Sequence, residues 1–329
     1  MSRIIKFAKA GGPEVLEFIE TPIPAPGPHE VRIKVKAIGI NRAESMWRHD
    51  RYVSPVKFPA SLGYEAAGTV DAVGDEVADL AVGDIVSTIP AFSFYRYFTY
   101  GEVVLVPDHA VVKHPATLSF VEAASVWMMF ITAYGALVAD AQVKAGDFVI
   151  IPAASSSVGL AAIQIANDAG ATPIALTRTS EKKQRLHDAG AVHVVATREQ
   201  DMVAEVMRIT NGNGARVAFD PVGGSDFPKL VSALADQGTI YIYGALDEVT
   251  TPLPVLEMIL KMPTVKGYSL RQVMGDEVRR AEAVDYVVKG LASGALNPVI
   301  DRTFEFDEMV DAHRYLESGD QFGKIVVTV

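Results

Sequence analysis

Apolar residues change their spacing twice along this chain. Val31, Ile33 and Val35 alternate with Arg32, Lys34 and Lys36, the period of two that marks a strand with one wet face. Val103 to Val106, closed by Pro107, predicts another strand. Gly63 to Val86, with Gly68, Gly74 and Gly83 between β-branched residues, predicts a compact β-rich region with tight turns. The proline run from Thr21 to Pro28 cannot be helical and reads as an extended connector. From Phe120 to Val138 the period lengthens, and Val121, Ala124, Ser125, Met128, Met129, Thr132 and Leu137 allow one mostly buried helix. From Asp147 onward short apolar runs alternate with helical segments. Strands are expected at 148–152, 173–177, 192–196, 216–220 and 239–243, with helices such as Glu181 to Ala189 and Gln200 to Thr210 between them. That alternation, with short connections, calls for a doubly wound parallel sheet. Beyond Pro263 the periodicity loosens, until Gly323 to Val329 predicts a final strand that returns to the first domain.

The stretch Asp147 to Gly170 is the most informative. A β-branched run, Phe148 to Pro152, leads through a turn of small residues into Leu160, Ala161, Ile163, Gln164 and Ile165 at helical spacing, with Gly170 as the stop. Strand, tight turn and helix form the first half of a dinucleotide-binding unit, whose helix N-terminus offers unpaired N–H groups to a pyrophosphate. The glycine fingerprint is degenerate. Ala154 and Ser156 replace the first two glycines and only Gly159 remains. The β-carbons of Ala154 and Ser156 are expected where phosphate would approach, while Ser155, Ser156 and Ser157 could donate hydroxyls to it. The same serines could equally do no more than cap the helix.

Composition narrows the classes. The chain has 329 residues, enough for about two domains, with 49% hydrophobic and 21% charged residues. A net charge of −10 argues against a nucleic-acid surface. No apolar run is expected to reach a membrane span, no signal-peptide core stands at the start, and a cytoplasmic location is the default expectation. The absence of cysteine excludes disulfides, thiolate chemistry and cysteine-ligated zinc.

At the end of the second strand of the parallel sheet an NAD site would place an acid for the ribose 2′-OH; here stand Thr177, Arg178 and Thr179, with Lys182 a turn later. An arginine and hydroxyls suit a 2′-phosphate, which favours NADPH, although Arg178 and the lysines could instead be a solvated face at a helix start. Two further glycine turns, Asp220 to Gly224 with Gly223, and Tyr243-Gly244-Ala245-Leu246, fall where the fourth and fifth strands should end and ligands should bind, though each taken singly could equally be a simple turn.

The chain resembles the medium-chain dehydrogenase/reductase superfamily in its zinc-free quinone oxidoreductase branch. The likeness rests on Asn41-Arg42-Ala43-Glu44 with Tyr52, on Phe219-Asp220-Pro221-Val222-Gly223-Gly224, and on the closing Gly323-Lys324-Ile325-Val326-Val327. It implies a GroES-like β-rich domain from both chain ends, residues 1–122 and 265–329, with a Rossmann domain, 123–264, inserted. It also implies NADPH reduction of quinones or α,β-unsaturated carbonyls, often in a homodimer. The cofactor set it suggests comprises Thr132, Ala154, Ser155, Ser156, Ser157, Val158, Gly159, Thr177, Arg178, Thr179, Lys182, Gly223, Tyr243, Gly244, Ala245 and Lys324. Zinc enzymes of the superfamily carry cysteine where this chain has Asn41 and Gly-His-Glu where it has Gly63-Tyr64-Glu65, so no metal is expected. His49 and Glu65 could be drawn as a metal pair, but no third ligand accompanies them.

Without a metal, the substrate oxygen must be polarised by hydrogen-bond donors, and Asn41, Arg42 and Tyr52 are the candidate catalytic residues. Tyr52 could also deliver the proton. Arg42 could instead simply pair with Glu44 or Glu65. Trp47, Tyr64, Phe92, Phe94 and Tyr95 could line a slot for a flat substrate or belong to the core. Two rival functions remain open: a zinc-type alcohol dehydrogenase-like carbonyl reductase, and a cofactor- or RNA-binding crystallin-like protein with little catalysis.

Overall fold

A computed structural model describes all 329 residues and divides the chain into two compact units, Met1–Met128 with Pro298–Val329, and Met129–Asn297. In the first unit the strand Glu30–Ile40 is the spine of a seven-stranded sheet. Val31, Ile33 and Val35 are buried while Lys34 and Lys36 are exposed, as the alternation predicts. Its neighbours include Glu65–Val73 and Val103–Pro107, and the C-terminal strand Lys324–Thr328 closes antiparallel on it, with Ile325 opposite Ile40. The last strand therefore does return to the first domain. Gly39 sits where this spine passes under the Phe120–Ala123 helix. A Cβ there would fall 1.9 Å from the Ala124 carbonyl oxygen, so only glycine permits the approach.

The second unit carries a six-stranded, all-parallel sheet. Its spatial order is His193–Ala196, Thr172–Thr177, Phe148–Ile151, Ala215–Asp220, Leu234–Ile242 and Thr264–Gly267. Numbered along the chain this is 3-2-1-4-5-6, the doubly wound order whose reversal point lies beside the first strand. Ile150, Ile174, Leu176, Val195, Ala218 and Ile240 form its core with Phe227 and Leu230 of the covering helix.

Three expectations need correction. The domain boundary does not fall at 264/265, because Thr264–Gly267 is the sixth strand of the parallel sheet and the helix Glu277–Ser293 belongs to the same unit, which ends at Asn297. That helix buries only Ala283 and Val287, so its hydrophobic period was too faint to read. The single helix expected over 120–138 is broken into Phe120–Ala123, Trp127–Tyr134 and a π-helical Gly135–Asp140. Finally, Phe120–Asp140 is long and apolar enough by composition to cross a membrane, against the expectation that no such run exists. Its apolar window is 78% buried within the protein, as a core segment is.

Candidate active site

In the first unit, sequence-distant polar groups meet in a buried cluster. Asn41 caps the helix Arg42–Arg48 in a capping box: Glu44 Oε2 accepts the Asn41 backbone N–H at 2.5 Å. The Asn41 amide nitrogen donates to Glu65 Oε2 at 3.0 Å, to the Gly39 carbonyl at 3.2 Å and to Glu44 Oε1 at 3.3 Å, while its oxygen accepts from the Lys324 ammonium at 2.6 Å. Lys324 also donates to Glu65 Oε2, and the other Glu65 oxygen accepts the Met128 N–H at 2.8 Å. Glu44, Glu65 and Lys324 are all essentially inaccessible to solvent. An isolated ion at such depth would be costly; here Lys324 and Glu65 pair with each other, and Glu44 is held by hydrogen bonds without an ion-pair partner of its own.

The structure thus brings Asn41 and Lys324 together, the latter by its ammonium inside this cluster rather than on a surface. Arg42 pairs with neither Glu44 nor Glu65; it donates to the Leu316 carbonyl at 2.9 Å. Tyr52 is half-buried and lies edge-on to Trp47 at 6.4 Å. Trp47 and Phe94 are core, with Tyr64 packed on Phe94 at a centroid distance of 3.9 Å. His49 faces Glu317 at 3.3 Å, so the pair His49–Glu65 does not form, and no group of three or more His, Asp or Glu side chains is arranged to hold a metal.

Four members of the cluster carry no catalytic role in the sequence reading. Glu44 enters as a motif residue and possible partner of Arg42, and Glu65 as a possible partner of Arg42 or of His49, although the Asn-x-x-Glu spacing of a capping box marks Glu44. Tyr100 and His313 gave no signal, being 213 residues apart, yet the Tyr100 hydroxyl lies 2.9 Å from His313 Nε2 and donates to Glu44 Oε2 at 3.2 Å. Burial raises the Glu44 carboxyl to about 7, against the lowering effect of its hydrogen bonds and of Lys324. Burial also pushes His313 down to about 3, helped by the charges of Arg48 and Arg42.

In the second unit the turn after Phe148–Ile151 carries Ala153 at φ +47° and leads into the helix Ser157–Asp168. Ser156 caps that helix, accepting the Gly159 N–H at 3.1 Å. The Ala154 side chain is fully buried, so its methyl does not stand in the path of a phosphate as the fingerprint suggested. Gly159 is required: its Cβ would lie 2.7 Å from Ala153 and Ala154 backbone atoms. The bend is therefore as tight as a dinucleotide turn needs. The first-turn N–H groups of Ser157 and Val158 have no intrahelical acceptor.

Thr177 and Thr179 are half-buried at the end of the adjacent strand, Arg178 is exposed, and Lys182 closes a short 3-10 turn. Thr132 is buried in the helix Trp127–Tyr134. The two glycine turns pack together. Leu246 N–H reaches the Pro221 carbonyl at 3.0 Å, and a Cβ on Gly244 would meet that same oxygen at 2.7 Å. Asp220, fully buried, holds the Val222 and Gly223 N–H groups at 2.8 and 3.1 Å, which fixes Gly223 at φ +66°. Tyr243 stacks on Phe219 at 4.0 Å, and its hydroxyl is buried without a partner. A close-packed bend, unpaired helix N–H groups, an orphaned phenol and an exposed arginine together fit a phosphorylated dinucleotide.

Two family models match the chain: the alcohol dehydrogenase GroES-like domain over residues 27–116 and the zinc-binding dehydrogenase over 157–287. The quinone oxidoreductase of Salmonella typhimurium is 32% identical over 330 residues, 97% of this chain and 97% of that one. The crystal structure of Escherichia coli quinone oxidoreductase complexed with NADPH superimposes with a TM-score of 0.91 at 29% identity, covering 99% of this chain and all of that one. A structure of an NAD-dependent alcohol dehydrogenase is also similar, with a TM-score of 0.90 at 32% identity over 99% of each chain.

The raised Glu44 carboxyl has a stability consequence with a definite sign. The native state keeps a proton that the unfolded chain releases, so this contribution is complete below about 4.5 and is lost as pH rises through about 7. The lowered His313 acts in the opposite sense, losing stability as pH falls below its ordinary range, but it is present in wild type and variant alike. Urea midpoints measured between about pH 5 and pH 8 should therefore show wild type losing on the order of 2 kcal/mol relative to Glu44→Gln. Parallel profiles for the two proteins would contradict the raised carboxyl.

Proposed function

We propose that this chain, which belongs to the medium-chain dehydrogenase/reductase superfamily in its quinone oxidoreductase-like branch, is a zinc-independent NADPH reductase of quinones or α,β-unsaturated carbonyls. NADPH, when bound, supplies the hydride. The Ser155–Ser157 bend and the Ser157 and Val158 N–H groups would hold its pyrophosphate, and Arg178 with Thr177, Thr179 and Lys182 its 2′-phosphate. The Gly223 turn and Tyr243-Gly244-Ala245 would hold its nicotinamide half.

The observation that carries the reading is the buried ammonium of Lys324 on Glu65 and Asn41. The superfamily's zinc enzymes use these latter positions as metal ligands or their neighbours. A cation already sits there, covalently attached to the fold, and no third metal ligand is at hand. Lys324 polarises the Asn41 amide through its oxygen, and a substrate carbonyl would take an amide N–H in place of its longer contacts to the Gly39 carbonyl or Glu44. A quinone or enone needs no stronger electrophile, because the resulting oxyanion is delocalised and weakly basic. Arg42 and Tyr52 complete the donor set, with Tyr52 as the proton source.

The likeness to an alcohol dehydrogenase favours a second reading, carbonyl reduction at a metal, and one experiment separates the two. Oxidation of NADPH by 1,2-naphthoquinone should proceed unchanged with a strong chelator, and Arg178→Asp should reverse the preference for NADPH over NADH. Chelator-sensitive turnover of an alcohol would refute the proposal, and an unchanged coenzyme ratio would remove Arg178 from the 2′-phosphate site.

We also propose that the chain works as a homodimer through the edge of the parallel sheet. Thr264–Gly267 has a neighbour on one side only, and the adjacent helix Val255–Lys261 buries none of its residues. Leu256, Ile259 and Leu260 are 84%, 69% and 74% exposed, a patch that an isolated soluble chain rarely leaves to water. Light scattering should give twice the chain mass for wild type and the monomer mass for Leu256→Asp/Ile259→Asp; equal masses for the two would contradict this interface.

A further inference from the structure

Glu44, Tyr100 and His313 lie in one hydrogen-bonded row, and all three are fully buried. The far end of the row, His313 Nδ1, is buried with no partner. Both oxygens of Glu44 already accept donors: the Asn41 and Tyr64 N–H groups, the Asn41 amide and the Tyr100 hydroxyl. This arrangement suits an ionised carboxylate. Tyr100 then gives its only proton to Glu44, so His313 Nε2 must be the protonated nitrogen that donates to the phenol oxygen, and Nδ1 is bare.

We propose that this row is a proton relay ending at Glu44, which acts as a positioning residue for Asn41 and sets the charge around it. A proton arriving at His313 Nδ1 displaces the Nε2 proton to the Tyr100 oxygen, and the original Tyr100 proton passes to Glu44. One proton enters and one is held; the phenol is regenerated, and the imidazole changes from its Nε2–H to its Nδ1–H tautomer without becoming charged. The resulting bonds run the other way, Glu44 to Tyr100 and Tyr100 to His313 Nε2, with the same three partners.

The charges around the row favour this course over imidazolium formation. Arg48 and Arg42 bear on His313, together with His49. Arg48 is fully buried and bonds Glu317 and the Gly11 carbonyl. Lys324 is the cation bearing on Glu44. Around Asn41, Lys324 stands against two carboxylates, Glu44 and Glu65; uptake of a proton on Glu44 leaves one of each sign. Negative charge developing on a substrate oxygen at Asn41 would thus be opposed by an ionised Glu44 and relieved when the relay fills it. That last consequence rests on the reductase reading, whereas the relay itself does not.

The test needs no substrate. In protein carrying 15N-labelled histidine, the His313 ring signals, assigned by their loss in His313→Gln, report which nitrogen bears the proton. As pH is lowered from about 8.5 to about 5.5, His313 should stay neutral while its proton moves from Nε2 to Nδ1. Glu44→Gln should hold one tautomer at every pH, and Tyr100→Phe, which keeps the ring, should abolish the response. A tautomer that never changes in wild type, an imidazolium forming in that range, or a switch that survives Tyr100→Phe would each overturn the relay. If the relay operates, the pH profile of kcat/KM with naphthoquinone should flatten in Glu44→Gln. A profile identical to wild type beside an intact tautomer switch would overturn the role of Glu44 at Asn41, and absence of any quinone turnover would fault the reductase reading alone.

Discussion

A lysine and a glutamate buried from solvent hold the first unit's polar centre. Lys324 comes from the last strand and Glu65 from the strand beside the spine, so their pairing ties the end of the chain to its first third. The desolvation cost of two such ions is met only by contact and by hydrogen bonds to every remaining lone pair and proton. That requirement explains the company they keep: the Asn41 amide between them, Glu44 behind the amide and the Met128 N–H on the second Glu65 oxygen. Removing either ion leaves the other stranded, and Asn41 loses the contacts that fix which way its amide faces.

The second unit meets a different constraint. Its turns hold their backbone tight by close packing rather than by glycine alone, as the proposed coenzyme site requires. Ala153, just before the fingerprint positions, takes a positive φ, Ala154 turns its methyl inward, and Gly159 is the one residue of the bend that could not carry a side chain. Asp220 performs the corresponding service for the Gly223 turn by occupying two N–H groups that would otherwise be unpaired. Both sites are thus built by buried polar atoms that organise exposed ones.

Much of the parallel sheet could be read directly, because β-branched runs such as Phe148–Ile151 and Thr172–Thr177 are buried on both faces and leave continuous apolar blocks. The C-terminal strand was legible for the same reason. The region after Pro263 was not: the helix Glu277–Ser293 fully buries only Ala283 and Val287, and the sixth strand is four residues long. The bend was recognisable by its strand–turn–helix context despite two missing glycines. The polar cluster was only half visible. Asn41 and Lys324 lie in stretches with family-like patterns, but the meeting of Tyr100 with His313 is a product of tertiary structure that no local spacing encodes.

Lys324 and Glu65 neutralise each other inside the fold, at the positions proposed to work without a metal. A double-mutant cycle with Lys324→Met and Glu65→Gln tests it most directly. Each single change should cost about 3–5 kcal/mol of unfolding free energy, and the double variant far less than their sum, by at least about 2 kcal/mol. Additive losses, or single losses below about 1 kcal/mol, would show that the two ions do not depend on each other.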